Sequence, residues 1–339
     1  SLHLKHLGQS GIAFLTDLFN LSVRGGVIPA IWKKALVLPV LKPGKPADQG
    51  TSYRPISLIS PVVKILERLL LPSLTSAFVL SPTQHGFRPF RSTTTALLPI
   101  ISKVSEGFNQ SKPAARTVVV AIDLSKAFDT VDLTLLIQQI AKSSLHHNLV
   151  RWLSTYLRGR SAACIFNGSQ SKFRIVHVGV PQGSVLSPCL FNLFTSDFPE
   201  VNDVKTLFAD DITIGKSDPD LSVIEKALNE DLERVSKWAK RKRLKISAEK
   251  SQVILFTPNN REVDIKPRIL YEGNLIPVKN KVKILGLDLE TMHTGATQEA
   301  SAKSKGSGRL RIVKAVMGAD WGLTKEDGLL TYKALISPV

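Results

Sequence analysis

Three acidic positions carry the first chemical hint in this 339-residue chain. Asp123 closes the β-branched run Thr117-Val118-Val119-Val120-Ala121-Ile122, and Asp210-Asp211 separates two short apolar runs, 204–208 and 212–214. Carboxylates crowded together repel one another unless cations lie between them. Hard divalent cations prefer oxygen ligands, and Mg²⁺ is typically held by one or two carboxylates plus substrate phosphates. Two such ions about 4 Å apart form a clamp for in-line phosphoryl transfer. An Asp-Asp pair is equally at home in a plain hairpin turn. The chemistry therefore requires a fold that brings Asp123 alongside it.

The surrounding elements supply such a fold. The run 117–122 reads as a buried central strand that ends at Asp123. Asp132 suits the N-cap of a helix over 133–141, and a second helix covers 148–157. Residues 162–166 and 172–178 form a hairpin about Asn167-Gly168. Ser187-Pro188 reads as an N-cap and a first helical proline before a helix over 189–195. Residues 204–208 and 212–214 are short strands around Ala209-Asp210-Asp211. A long amphipathic helix over 221–241 places Ile224, Leu228, Leu232, Val235 and Trp238 on one side, and 253–256 is a strand. The order is strand, helix, strand–turn–strand, helix, strand, with a helical insert after the first strand. This is the split βαβ plan of a ferredoxin-like sheet. In that plan the first strand and the central hairpin are neighbours, and the three carboxylates can meet at one sheet end. Ahead of this unit the spacing predicts helices over 11–21, 61–71 and 92–104 and a strand over 35–40. Behind it lie a hairpin over 268–278, a strand over 283–287 and helical segments over 298–317 and 324–336.

Composition narrows the function class. The chain is 43% hydrophobic and 22% charged, enough to bury a core. No apolar run approaches the ~18 residues of a membrane span. The opening lacks a secretory signal, and Ser1 as first residue suggests a fragment. Two cysteines, Cys164 and Cys189, exclude a disulfide framework or a Cys-rich zinc site and fit an intracellular setting. Lys and Arg number 45 against 28 Asp and Glu, a net charge of +17. Such an excess points to a polyanion, most often nucleic acid; a basic housekeeping enzyme is the alternative.

Longer stretches are recognisable. Ala121-Ile122-Asp123-Leu124-Ser125-Lys126-Ala127-Phe128-Asp129, Gly179-Val180-Pro181-Gln182-Gly183-Ser184-Val185-Leu186-Ser187-Pro188 and Phe208-Ala209-Asp210-Asp211 resemble three consecutive polymerase motifs. The motifs are those of reverse transcriptases of non-LTR (long-interspersed-element type) retrotransposons. Tyr53-Arg54-Pro55-Ile56-Ser57 and Gln84-His85-Gly86-Phe87-Arg88 resemble that family's fingers motifs, and 244–256 and 282–287 its two later ones. The resemblance runs from about residue 30 to the end. It implies an α+β right-hand polymerase with a ferredoxin-like palm, fingers and a partial helical thumb. The expected division is 1–116 for an N-terminal extension and fingers, 117–290 for the palm and 291–339 for the partial thumb. It further implies an RNA-directed DNA polymerase that copies retrotransposon RNA. A primer 3′-hydroxyl attacks a deoxynucleotide with the help of two Mg²⁺, for which Mn²⁺ can substitute. The implied partners are an RNA template, a DNA primer and dNTPs, with no membrane. The chain is expected to be part of a longer multidomain polyprotein, in a ribonucleoprotein of nucleus and cytoplasm. An RNA-dependent RNA polymerase and a decayed or domesticated nucleic-acid-binding fragment are the alternatives; three intact aspartates speak against decay.

Carried over position by position, Asp123 and Asp210 bind the metals, Asp211 supports them, and Leu124 lends its backbone carbonyl. Phe128 lies beneath the incoming sugar, where a ring leaves no room for a 2′-hydroxyl; an ordinary core aromatic is the alternative. Asp129 is expected to be structural. Gln182 offers a donor and an acceptor to sugar or base. Gly183 suits a place where backbone comes close to a ligand, although Pro181-Gln182-Gly183 would equally suit a tight turn. Arg54, Lys64 and Arg88 are candidates for the triphosphate, with Lys64 as well explained as a solvated helix residue. Lys250 is a candidate proton donor to pyrophosphate. Phe208 stands near the primer end where the family usually has Tyr, and Ile246-Ser247 where it usually has Leu-Asn. Lys237, Lys240, Arg241, Lys242, Arg243 and Lys245 complement a helix dipole. Lys303, Lys305, Arg309, Arg311 and Lys314 are expected to grip duplex phosphates. His85 is expected to be structural.

Overall fold

The computed structural model describes residues 6–110 and 113–292, with single positions beyond them at 299, 303, 304, 307, 310 and 330. Lys303 is exposed and helical. Lys305, Arg309, Arg311 and Lys314 lie outside the described residues, as do most positions of the segments 298–317 and 324–336.

The chain opens with α1 (Gln9–Gly25), β1 (Lys34–Leu41), β2 (Tyr53–Leu58), α2 (Pro61–Ala77) and α3 (Thr93–Phe108). A central stretch follows: β3 (Arg116–Leu124), α4 (Leu133–Ala141), α5 (His147–Leu157), β4 (Arg160–Phe166), β5 (Ser169–Gln170), β6 (Arg174–Val176) and α6 (Ser187–Phe194). Then come β7 (Val204–Phe208), β8 (Asp211–Asp218), α7 (Leu221–Lys242) and β9 (Ile246–Phe256). Two small hairpins close the described part, β10 (Leu270–Tyr271) with β11 (Asn274–Leu275), and β12 (Lys281–Ile284) with β13 (Leu287–Glu290).

Strands β7, β8, β3 and β9 form one antiparallel sheet in that order, which is the ferredoxin-like plan read from the sequence. The physical reason for the apolar run 117–122 is coverage on both faces. Val118, Val120 and Ile122 join the main core with residues of α6 and α7, while Val119 turns to a second cluster with Leu97, Ile100 and Val104 of α3. A strand with both faces covered has no solvent side on which to place polar residues. Burying each such valine fully contributes about 1.5–3 kcal/mol relative to exposure. Strand β3 runs one residue past Asp123, to Leu124.

The β3–β9 ladder contains a bulge. Ala121 pairs with Gln252 but Asp123 pairs with Ser247, so the four residues 248–251 of β9 lie against the single residue Ile122 of β3. The Asp123 N–H, deprived of a ladder partner there, donates to Ser251 Oγ at 3.1 Å, and Ser251 Oγ donates to the Ser247 carbonyl at 2.7 Å. Lys250 sits in the bulge, which takes its side chain out of the ladder pattern.

The insert after β3 is only partly helical. Strand β4 pairs in parallel with β1 and antiparallel with β6, so the insert builds a second sheet, β2-β1-β4-β5 with β6 on β4. Asn167 and Gly168 both have positive φ (48° and 77°), the requirement of a tight two-residue hairpin turn. The strand expected over 172–178 shrinks to Arg174–Val176.

Capping bears out one expectation and corrects another. Asp132 Oδ1 accepts the Thr134 and Leu135 N–H groups, each at 2.9 Å, and so starts α4. Ser187 does not cap α6: it is already helical, Leu186 holds the N-cap position, and the Leu186 N–H is met by Ser184 Oγ at 3.1 Å. The strand expected over 283–287 is instead a hairpin, because Leu285 and Gly286 both take positive φ (48° and 89°) and turn the chain. The basic end of α7 is ion-paired: Lys240 with Glu272, Lys242 with Asp197 and Arg243 with Asp132, at 2.8, 2.9 and 2.7 Å.

Candidate active site

The sheet brings the three carboxylates together as its plan requires. Asp123, near the end of β3, stands directly opposite Asp211, the first residue of β8. Directly opposed residues of an antiparallel pair share one face of the sheet. Asp210 lies with Ala209 in the two-residue turn that Phe208 and Asp211 close. Ala209 has φ 56°, a left-handed conformation that favours glycine and strains a residue with a Cβ.

Electrostatics register the crowding. The Asp210 carboxyl is raised above its ordinary value by burial and by the Asp123 charge, against a pull downward from Arg54. The Asp211 carboxyl is pushed up to about 6 by loss of hydration and then by Asp210 and Asp123. Asp211 keeps part of its surface in water, which screens these neighbours. Among the described residues no three His, Cys, Asp or Glu side chains by themselves form a group that could hold a metal ion. The donor set is nevertheless suited to a hard cation that takes further oxygens from a substrate.

A cleft of about 1660 Å³ opens beside the carboxylates. Asp123 and Asp210 line it, as do Leu124, Phe128, Gln182, Gly183, Arg54 and Lys250. Asp211, Phe208, Lys64 and Arg88 are not among its lining residues. Phe208 is half-buried at the end of β7, and Lys64 is half-buried in the first turn of α2. Arg88 acts as a brace in this structure: its Nη1 donates to the Ser81 and Gln84 carbonyls at 2.8 and 3.1 Å.

The loop 179–186 is held by contacts that narrow two expectations. Gln182 Nε2 donates to Asp129 Oδ1 at 2.8 Å, which uses one of its two N–H groups and orients the amide. Asp129 thus orients a cleft residue, and burial raises its carboxyl above the ordinary value. Gly183 has φ 126°, and a Cβ there would lie 2.4 Å from the Ser57 carbonyl oxygen. The close approach that Gly183 allows in this structure is to the backbone of β2, while the residue also lines the cleft. The Ser57 N–H donates to the Gln182 carbonyl at 2.6 Å, which ties this loop to the second sheet.

Below the loop lies a buried polar cluster. Glu67 is fully buried; its carboxylate accepts the Val185 N–H at 2.6 Å and the Tyr156 hydroxyl. Burial raises the Glu67 carboxyl above its usual range. Phe128 both packs against the core and faces the cleft. Its ring stacks on buried Phe191 at 4.4 Å between centroids, meets Phe87 edge-on at 6.5 Å, and still lines the cleft.

Sequence reasoning missed Lys42 and Lys126 as cleft cations. Lysines in a basic loop and at a strand end carry no periodic signal that separates a ligand-facing ammonium from a solvated one. It also missed Gln84 and Ser251, whose roles depend on partners more than 100 residues away.

Comparison with known proteins agrees with this geometry. The family model "Reverse transcriptase (RNA-dependent DNA polymerase)" matches residues 40–289. An RNA-directed DNA polymerase from the mobile element jockey of Drosophila funebris is 29% identical, covering 99% of this chain and 37% of the relative. A probable RNA-directed DNA polymerase from the transposon X-element of Drosophila melanogaster is 28% identical over the same shares. The chain thus spans little more than a third of these relatives' length. Telomerase from Candida tropicalis, truncated from its C-terminal domain, superposes with a TM-score of 0.51 at 12% identity, covering 84% of this chain and 59% of that one. This likeness bears out the α+β right-hand polymerase fold. The chain belongs to the reverse transcriptase (RNA-dependent DNA polymerase) family.

Proposed function

We propose that this chain synthesises DNA on an RNA template, adding deoxynucleotides to a primer 3′-hydroxyl in the cleft between the two sheets. The observation that carries the proposal is the meeting of Asp123 and Asp210 with Arg54, Phe128 and Gln182 around one cavity. Asp123 and Asp210, supported by Asp211 and the Leu124 carbonyl, would hold two divalent cations, Mg²⁺ or Mn²⁺. Bound there, such ions supply charge neutralisation and a more acidic primer hydroxyl.

The chain's own residues do the rest. Arg54, joined by Lys42 and Lys126, takes the triphosphate, since a planar guanidinium can bind two phosphate oxygens at once. Gln182 presents its oxygen to a sugar hydroxyl, held at the right angle by Asp129. The Phe128 ring, backed by Phe191, fills the space a 2′-hydroxyl would need. Lys250, carried into the cleft by the bulge, protonates the departing pyrophosphate. Lys303 and the basic residues that follow grip the template–primer duplex through phosphates.

Primer extension on an RNA template tests this directly, with Mg²⁺ against EDTA and dNTP against rNTP. Extension with dNTP that EDTA abolishes supports the proposal. Preference for rNTP would move the chain to RNA synthesis, and duplex binding without extension to a non-catalytic role.

A further inference from the structure

The turn that carries Asp210 and Asp211 raises a problem that its own hairpin does not solve. Ala209 is the first residue of a two-residue loop, so its N–H has no partner in the β7–β8 ladder. The residue is buried, and an unpaired buried N–H is costly. Its left-handed φ adds strain.

A distant segment meets both difficulties. Thr83 to His85 runs alongside β7: the Leu207 N–H donates to the Thr83 carbonyl at 2.9 Å and the His85 N–H to the Leu207 carbonyl at 2.7 Å. This places Gln84, 1% exposed, beneath the turn. Gln84 Oε1 accepts the Ala209 N–H at 3.0 Å and the Gly86 N–H at 2.9 Å, and Nε2 reaches the Ala209 carbonyl at 3.4 Å. The side chain therefore brackets Ala209 from both ends. Gly86 allows the approach, because a Cβ there would lie 2.4 Å from the Ala209 nitrogen. Asn192 Nδ2 fixes the same segment from the other side by donating to the Gly86 carbonyl at 2.8 Å.

We infer that Gln84 is a positioning residue: by holding the Ala209 peptide it sets where Asp210 and Asp211 stand and so how well they take divalent cations. The inference rests on the proposed cation-binding role of those aspartates. Partners behind metal ligands typically matter by about 10–100-fold in metal affinity or activity.

The test compares Gln84→Met, close in size but unable to accept either N–H, with Asn192→Leu, which loosens the same segment without touching the turn. Mn²⁺ binding is measured without nucleotide, by electron paramagnetic resonance or calorimetry, beside the melting temperature and primer extension. Gln84→Met is expected to weaken Mn²⁺ binding by about tenfold and to lower kcat while the KM for dNTP holds within about twofold. Asn192→Leu is expected to lower the melting temperature but to leave Mn²⁺ binding at the wild-type level. If Gln84→Met fails to fold, Gln84→Glu, which keeps acceptor oxygens for both N–H groups, is used in its place: retained Mn²⁺ binding supports the inference and its loss overturns it. Wild-type Mn²⁺ affinity in Gln84→Met, or equal weakening by both variants, also overturns it while leaving the aspartates' role standing. A wild-type protein that binds no Mn²⁺ overturns the cation-binding role first and this inference with it.

Discussion

Asp123 and Asp210 stand at the end of a sheet whose central strand is buried on both faces, whereas Arg54 rises exposed from β2, the edge strand of the other sheet. The acidic wall of the cleft is set by backbone: register fixes Asp123 against Asp211, and a two-residue turn fixes Asp210. The basic wall is set by long side chains on exposed or half-exposed backbone, Lys42, Arg54 and Lys126. Short side chains on rigid strands lose little freedom when they meet a ligand, whereas long ones must be ordered at the moment of binding. The difference teaches which wall is built for placement and which for charge. Cation geometry needs the first, while a flexible, hydrated triphosphate tolerates the second.

The largest effect is expected on the acidic wall. Asp210→Asn should lower primer extension by at least about 10³-fold, because an amide is a poor ligand for a hard cation. Affinity for an RNA–DNA duplex, measured by fluorescence anisotropy, should change by less than about twofold, since that grip rests on phosphate contacts elsewhere. Extension at the wild-type rate would remove the distinction between the walls.

Arg54→Ala should act on binding more than on chemistry. A charged hydrogen bond contributes about 1.5–3 kcal/mol, so the KM for dNTP should rise by roughly tenfold or more. Arg54→Lys should recover part of this, as expected for a wall that supplies charge. A kcat loss as deep as that of Asp210→Asn would show that both walls are placed with equal strictness.

Phe128 lies between the two. Phe128→Val should raise ribonucleotide relative to deoxynucleotide incorporation by about tenfold, the worth of removing a steric block of 1–2 kcal/mol. It should also cost about 1–3 kcal/mol of stability, read by denaturant unfolding, because the ring stacks on Phe191. A loss of stability with unchanged sugar preference would leave Phe128 as core alone.

The smallest effect is one of pH. The folded-state carboxyl of Asp211 sits at about 6, above its ordinary 3.8. The folded chain therefore holds this proton more tightly than the unfolded one. The stabilisation is fully present below about 3.8 and is lost as pH rises through about 6. Metal-free protein should accordingly lose melting temperature across that window, and Asp211→Asn should flatten the change. A melting temperature that rises across the window in metal-free protein would contradict the crowding of the acidic wall.

Legibility in the sequence follows the same division. The buried run 117–122, the N-cap Asp132 and the Asn167-Gly168 turn are local signals, each written by residue types within a few positions, and each is in the structure. The carboxylate site was legible because strand ends and a hairpin turn have few places to go in a ferredoxin-like sheet. The basic wall was not. Arg88 and Arg54 are alike as sequence, and only the carbonyls of Ser81 and Gln84 make one of them a brace. The β12–β13 turn escaped because Leu285, a poor turn residue, takes positive φ beside Gly286. Ser187 failed as a cap because the helix begins one residue earlier than expected: the Leu186 carbonyl already accepts the Leu190 N–H at 2.9 Å.

The bulge in β9 bears on how this chain tolerates changes in its own length. Beyond the bulge, Val253 and Leu255 face the main core while Ile254 and Phe256 face the cluster under α3. Side chains alternate faces along a strand, so removing one residue from 248–251 would exchange the two sets if the ladder were kept. Phe256 would then press into a space fitted to an aliphatic side chain, and the two hydrophobic clusters would be over- and under-filled together. Removing or adding two residues would keep the faces but move Lys250 away from the cleft and take Ser251 from the Asp123 N–H. The spacing between Ser247 and Gln252 is thus constrained from two directions, by volume for odd changes and by chemistry for even ones. Point substitutions at exposed Glu249 escape both constraints, whereas Ala248 packs against the main core, so the stretch should tolerate a change of residue type at Glu249 far better than a change of length.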